Sequence, residues 1–127
     1  MKKFIVKPAG GAAAIGPYSH GVRAGDFLFC AGQIPVAPES GQIIGHDVRA
    51  QTKRVLENVK IILQDQKLDF GHVVKTTVFL TDLADFTAMN EVYARYFTSD
   101  FPARSTVQVA ALPRGARVEI EVVAHYG

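Results

Sequence analysis

The strongest constraint on the fold is an apolar stripe in residues 48–63. Its members recur at steps of three and four residues, the spacing that places side chains on one face of an α-helix. They are Val48, Thr52, Val55, Leu56, Val59, Ile62 and Leu63. Charged residues fill the opposite face, and Asp47 is suited to cap the helix N-terminus. The sequence therefore predicts an amphipathic helix of about five turns that covers an apolar surface.

Segments rich in β-branched and aromatic residues predict the sheet that this helix covers. They are a hairpin over residues 21–31 and single strands over residues 73–81, 104–110 and 117–125. A second helix is expected from near Asp85, with an apolar stripe formed by Phe86, Met89, Tyr93 and Phe97. This order of elements predicts an α+β fold in which both helices cover one face of a sheet.

The length and composition indicate one globular domain. The chain has 127 residues, of which 48% are hydrophobic and 20% are charged, so we expect residues 1–127 to form one domain with its own core. A formal charge of +2 is too small to indicate nucleic-acid binding. No segment approaches the roughly 20 apolar residues of a membrane span, so a membrane partner is not expected.

The cysteine and histidine content bears on location and on metals. Cys30 is the single cysteine, so an internal disulfide is excluded and a reducing compartment is favoured. The first residues lack the apolar run of a signal peptide, and we therefore expect a cytoplasmic protein. The histidines show no metal-ligand spacing, so no metal site is predicted.

The last two predicted strands carry the polar residues of greatest interest. Side chains alternate along a strand, so Arg104 and Thr106 share one face while Val107 lies on the other. On the final strand, Val118, Ile120 and Val122 share a face opposite to that of Glu119. We expect the apolar faces to lie under the helices, which places Arg104 and Glu119 together on the other face. That face is only half polar, which indicates contact with another chain.

The pattern alone allows two interpretations of Arg104 and Glu119. In the first interpretation, the two side chains form a cross-strand ion pair worth at most about 1 kcal/mol. Alternatively they form a site, because a guanidinium offers paired donors that match a carboxylate and a neighbouring acid can deprotonate a water.

Five motifs give the chain a resemblance to a known family. The motifs are AIGPYS at 14–19, AGQIPV at 31–36, VKTTVFL at 74–80, FPARS at 101–105 and VEIE at 118–121. In this order and spacing they resemble the successive signatures of the RidA/YjgF family, and they extend over nearly the full chain. The resemblance implies a chorismate-mutase-like mixed sheet with two helices on one face. It also implies a homotrimer with its sites between subunits.

The same resemblance implies an activity. Family members hydrolyse reactive 2-imino acids and their enamine tautomers, such as 2-aminoacrylate, to 2-keto acids and ammonia, and they use no cofactor. The expected partners are therefore a small imino or keto acid and further copies of the chain.

The resemblance also assigns roles to individual residues. Arg104 is expected to clamp the substrate carboxylate, and Glu119 to hold and polarise the attacking water. The other residues expected at the substrate are Tyr18, which closes the pocket, Gly32, which lies against the ligand, Asn90, which lies at the cleft, and Thr106, which presents backbone groups. Three departures from the family pattern are Thr106 in place of a frequent cysteine, His20 in place of a frequent glutamine, and a shorter link before Phe101.

Two other functions remain open at the level of the sequence. Some members of the family are described as endoribonucleases or translation inhibitors, although the chain shows no basic stripe and no array of aromatic residues for stacking bases. A non-catalytic module that binds small carboxylates would use the same arginine.

Overall fold

A computed structural model describes residues 2–127 as an α+β fold with six strands and two helices. The strands are β1 (Lys3–Val6), β2 (Gly21–Ala24), β3 (Phe27–Gln33), β4 (Val73–Leu80), β5 (Ala103–Gln108) and β6 (Val118–His125), and the helices are α1 (Val48–Asp65) and α2 (Phe86–Tyr93). The hairpin, both helices and the last three strands confirm the predicted elements. Strand β1 was not predicted, because four residues are too few to show an alternating pattern.

The strands form one mixed sheet in the order β1-β2-β3-β6-β4-β5. All neighbours are antiparallel except β4 and β5, which run parallel. A parallel pair needs a crossover connection, and α2 lies in the connection between these two strands. Strand β5 ends the strand order and is therefore an edge strand. A hydrogen bond between Arg104 on β5 and Asn90 on α2 joins it to this helix.

Helix α1 forms as the sequence predicts. The Asp47 carboxylate accepts a hydrogen bond from the backbone N–H of Ala50 at 2.8 Å, which caps the N-terminus. All seven residues of the predicted stripe are buried. They pack on the face of the sheet that carries Leu28, Val78 and Ile120, and α2 lies beside α1 over the same face. Both helices thus cover one side of the sheet, as predicted.

The other face of the sheet, the open face, carries exposed apolar side chains. Ile5, Val22 and Phe29 are cross-strand neighbours there, and paired residues project from the same side of a sheet. Phe29 is 48% exposed and Phe27, on the same face, is 41% exposed. The charged residues of this face include Lys75, Glu119 and Glu121. Within residues 2–127, no helix is long and apolar enough to cross a membrane.

The predicted faces of β5 are wrong, and those of β6 are confirmed. Arg104 pairs with Thr76, which is fully buried on the helix side, so Arg104 and Thr106 lie on the helix side as well. Val107 lies on the open face and is 41% exposed. Glu119 pairs with Phe79 on the open face, whereas Val118, Ile120 and Val122 are buried under the helices.

Arg104 and Glu119 therefore lie on opposite faces of the sheet, and the cross-strand ion pair within one chain is excluded. The physical reason is the position of β5 at the edge of the sheet. The short helix α2 leaves the helix side of β5 partly open, so a polar residue can lie there without full burial.

Candidate active site

Helix α2 fixes the guanidinium of Arg104. The Arg104 Nη1 atom donates a hydrogen bond to Asn90 Oδ1 at 2.7 Å. The guanidinium carbon lies 4.8 Å from the centre of the Tyr93 ring and 5.4 Å from that of Phe86, both within the range of cation–π attraction. Phe86, Asn90 and Tyr93 follow one another at steps of four and three residues, so α2 presents all three on one face. We refer to these four residues as the Arg104 half-site.

The charge of this guanidinium is not neutralised by any acid in the part of the chain that the structure describes. Among residues 2–127, no carboxylate forms an ion pair with Arg104. Its fixed partners are an amide oxygen and two ring faces, none of which carries a full negative charge. A half-buried guanidinium in this state attracts an anion, and its paired N–H groups match a carboxylate in particular.

Tyr93 contacts the guanidinium of Arg104 with its ring, and its phenol is neutral. Its hydroxyl shares a hydrogen bond of 2.8 Å with Thr76 Oγ1. Burial raises the pKa of Tyr93, and the Thr76 hydrogen bond and the charge of Arg104 act in the opposite direction. The sequence pattern indicated only a core residue here, since Tyr93 belongs to the apolar stripe of α2. The spacing of Asn90 and Tyr93 was the signal that links it to Arg104.

The carboxyl group of Glu119 lies on the open face against Gly32. An added Cβ at Gly32 would contact Glu119 Oε2 and would lie 2.8 Å from Glu119 Cδ, so no side chain fits at position 32 while the carboxyl keeps its place. The resemblance predicts that Gly32 lies against a ligand, and in the structure Glu119 already lies there. Burial raises the pKa of Glu119, with a smaller contribution from the charge of Glu121.

Tyr18 lines the same cleft as Glu119 and Gly32, together with Ile15 and Arg114. Tyr18 packs on His20 in an edge-to-face arrangement, with ring centres 5.7 Å apart. The buried Gln33 amide in turn donates to Ala31 O and to His20 Nδ1. We refer to Glu119, Gly32 and Tyr18 as the Glu119 half-site.

The structure thus sorts the predicted site residues into two groups. Asn90 and Arg104 are together on the helix side, and Tyr18, Gly32 and Glu119 are together on the open face. Thr106 lies on the side of Arg104, where its hydroxyl oxygen is buried and lacks a hydrogen-bond partner among the described residues. Sequence reasoning did not identify Phe86, Tyr93 or Arg114 as neighbours of these groups.

Neither metal nor thiol chemistry is indicated at these positions. The described part of the chain contains no group of three or more His, Cys, Asp or Glu side chains placed to hold a metal ion. Cys30 is buried, and burial raises its pKa to about 12, so its thiol stays protonated near neutral pH.

Comparison with known proteins decides the family. A sequence model of the family described as endoribonuclease L-PSP matches residues 10–126. Relatives across this match include proteins named for the RutC and RidA groups. The chain belongs to the RidA/YjgF family.

The similarity to individual members of the RidA/YjgF family extends over most of each chain. Protein DfrA of Myxococcus xanthus is 56% identical over 113 residues, which are 87% of this chain and 86% of that protein. The human 2-iminobutanoate/2-iminopropanoate deaminase is 46% identical over 123 residues, 97% of this chain and 90% of that one. The crystal structure of E. coli TdcF with bound serine superposes with a TM-score of 0.92 at 44% identity, covering 98% of this chain and 99% of the other.

Proposed function

We propose that this member of the RidA/YjgF family, with residues 1–127 acting as one domain, hydrolyses reactive 2-imino and 2-enamino acids, such as 2-aminoacrylate, to 2-keto acids and ammonia without a cofactor. The observation that carries the proposal is the guanidinium of Arg104, which Asn90 and two aromatic rings hold in place and with which no acid of the described residues forms an ion pair. It offers a fixed fork for the carboxylate that all these substrates share.

We further propose that each site forms between two subunits of a homotrimer. Arg104 and Glu119 lie on opposite faces of one sheet and cannot act on one substrate within a chain. The exposed apolar residues of the open face, such as Phe27 and Phe29, support burial of that face against other copies. Such packing brings Glu119 of the partner subunit to the edge strand that carries Arg104.

The proposed reaction uses a positioned water. Arg104 and backbone groups at Thr106 hold the carboxylate, and Asn90 keeps the guanidinium in orientation. The enamine first takes a proton from solvent at its methylene carbon and becomes the protonated imine. Glu119 of the partner subunit then accepts a proton from a water whose oxygen bonds to C2, while the π pair of the C2–N double bond moves to nitrogen and gives the carbinolamine. Glu119 passes this proton to the amine, the C2–N bond breaks and ammonia leaves, and the carboxylate takes up the hydroxyl proton as the C2–O double bond of the keto acid forms.

The other residues of the Glu119 half-site favour this role. The absence of a side chain at Gly32 allows the carboxyl to lie against the backbone, where burial raises its pKa and makes it a stronger base than an exposed glutamate. In this proposal Tyr18, which is 48% exposed on its loop, closes the cleft over the substrate. Relatives at 46% identity that are named as deaminases support the same reaction. The unpaired Cys30 is compatible with the proposed cytoplasmic location.

The test is an imine hydrolysis assay with two arginine variants. A serine or threonine dehydratase generates the imino acid, and release of the keto acid is followed with and without this protein. We expect Arg104→Ala to lose at least about thirtyfold in rate, because it removes one partner of the charge pair that the guanidinium is proposed to form with the substrate carboxylate in the site. Arg49→Ala is the matched control, since Arg49 forms an exposed ion pair with Glu91 on the helix surface and should stay close to the parent.

The alternatives give different results in the same series. A carboxylate-binding module without catalysis would bind keto acids through Arg104 but would not accelerate hydrolysis. An RNA-directed protein would bind RNA with a steep dependence on salt and would show no dependence of imine hydrolysis on Arg104. Equal rates for Arg104→Ala and the parent would refute the proposed deaminase.

A further inference from the structure

A surface pocket with aromatic walls lies directly beside Arg104. Tyr93, Phe97, Phe101 and Pro102 line it, with Asn90 at its margin. Of the described residues that line the pocket, Arg104 carries the only charge. A concave apolar surface with one charged anchor is the usual form of a site for an amphipathic small molecule. The catalytic proposal uses the guanidinium but gives no role to these walls.

The floor of the pocket is fixed by aromatic packing. The rings of Tyr93 and Phe97 are stacked with their centres 4.4 Å apart, and the Phe70 ring packs edge-on against Phe97 at 5.1 Å. Both Tyr93 and Phe97 are buried in the core. The floor is therefore preformed, and a ligand does not need to order it.

The rim of the pocket is formed by Phe101, which is 72% exposed. The backbone holds this residue outward. Asp100 adopts a φ of +45°, a left-handed conformation that non-glycine residues seldom take, and Pro102 restricts the residue before it to extended conformations. A strained turn that presents a large apolar side chain to solvent beside an unpaired cation points to a function for that side chain.

We propose that this pocket receives the side chain of the substrate, and that the chain prefers 2-imino acids with an aromatic or large apolar side chain. The inference rests on the proposed function, because it takes Arg104 as the carboxylate anchor. With the carboxylate on Arg104, an aromatic side chain lies between the fixed Phe97 floor and the Phe101 rim. Aromatic pairs of this kind add attraction beyond the burial of apolar area. A substrate with a methyl side chain leaves the pocket unfilled.

The test measures the affinity of the assembled protein for three 2-keto acids by calorimetry. Pyruvate, 2-ketobutyrate and phenylpyruvate share the carboxylate and differ in the side chain. We expect phenylpyruvate to bind about tenfold or more tightly than pyruvate, with 2-ketobutyrate between them. Phe101→Ala should remove most of this difference and leave the affinity for pyruvate unchanged within about twofold. Phe4→Ala, which removes another exposed ring, on strand β1 away from this pocket, is the control and should keep the preference.

The outcomes separate this inference from the function on which it rests. If pyruvate binds equally well to the parent and to Arg104→Ala, the proposed anchor fails. If pyruvate binding requires Arg104 but phenylpyruvate binds no more tightly than pyruvate, only the side-chain pocket is overturned. A Phe101→Ala variant that keeps the preference for phenylpyruvate, or that loses oligomer mass in light scattering, also overturns it, because Phe101 would then not be the rim of a substrate pocket.

Discussion

The Arg104 half-site lies on the helix side of the sheet, between α2 and the edge strand β5, whereas the Glu119 half-site lies on the open face, between β3, β6 and a loop. The first is held by a charged hydrogen bond and by aromatic rings from one short helix. The second depends on a missing side chain at Gly32 and on a loop tyrosine. Under the proposed function, the Arg104 half-site binds the substrate anion within one chain, and the Glu119 half-site supplies a proton acceptor to a neighbouring copy.

The two half-sites also differ in charge. The guanidinium has no acid to neutralise it in the described chain, so it keeps its full attraction for a substrate carboxylate. Among residues 2–127 the Glu119 carboxyl forms no ion pair, and burial raises its pKa. The two half-sites carry charges of opposite sign, which favours their approach across subunits in the proposed assembly.

Asn90→Asp tests the binding half and is expected to have the larger effect. An aspartate at this position would accept the same hydrogen bond but would pair with Arg104 as an ion and compete with the substrate carboxylate. We expect the KM to rise about tenfold to a hundredfold, the range for the loss of a charged hydrogen bond, here the one between the guanidinium and the substrate carboxylate. Steady-state rates in the imine assay measure it.

Asn90→Ala is the matched comparison for this prediction. It removes the anchor of the guanidinium without adding a charge, so its KM should rise by less than that of Asn90→Asp. If the aspartate variant binds substrate as well as the alanine variant, Arg104 does not bind an anion at this place, and the distinction between the two halves is lost.

Gly32→Ala tests the proton-accepting half. The added Cβ displaces the Glu119 carboxyl, which lies at the end of a flexible side chain that can move aside. We therefore expect kcat to fall at least about tenfold, because a shift of this order misplaces a catalytic group. The thermal midpoint of unfolding should change little. Full activity in this variant would show that the position of Glu119 against Gly32 has no catalytic role.

The smallest expected effect concerns the pH dependence of the rate. Glu119 must be ionised to accept a proton, so kcat/KM falls as the pH drops through its pKa, and a raised pKa moves this fall to higher pH than for an ordinary glutamate. Glu121→Gln removes the like charge that contributes to the raised pKa. We expect the acid limb to move to lower pH by less than about one unit. Asp65→Asn, at the end of α1, should leave it in place, and a shift to higher pH in Glu121→Gln would contradict the assignment.

Much of the fold could be predicted from the sequence, because it depends on local periodicity. The α1 stripe with its Asp47 cap, and the buried face of β6 with Ile120, follow from patterns within a few residues of one another. The faces of β5 could not be assigned in this way. Strand β5 has valine on one side and Arg104 on the other, and only its pairing with Thr76, which is distant in the sequence, determines which side faces α2.

The candidate site was predictable only in part. Family resemblance named Arg104 and Asn90 of one half and Tyr18, Gly32 and Glu119 of the other, whereas their separation onto two faces depends on the sheet register. The place of the Glu119 carboxyl against Gly32 also depends on that register, since β3 and β6 shift their pairing between Cys30 and Gln33. The aromatic support of Arg104 was hidden because Tyr93 and Phe86 fit the apolar stripe of α2 equally well.

The most direct test of the shared site is complementation between two inactive variants. Arg104→Ala and Glu119→Gln are co-expressed with different affinity tags, and mixed oligomers are isolated through both tags and assayed for imine hydrolysis. If each site takes Arg104 from one subunit and Glu119 from the next, every mixed trimer holds one intact site in three, so the isolated mixture should regain about a third of the parental rate. Mixed oligomers no more active than either variant alone would contradict the account.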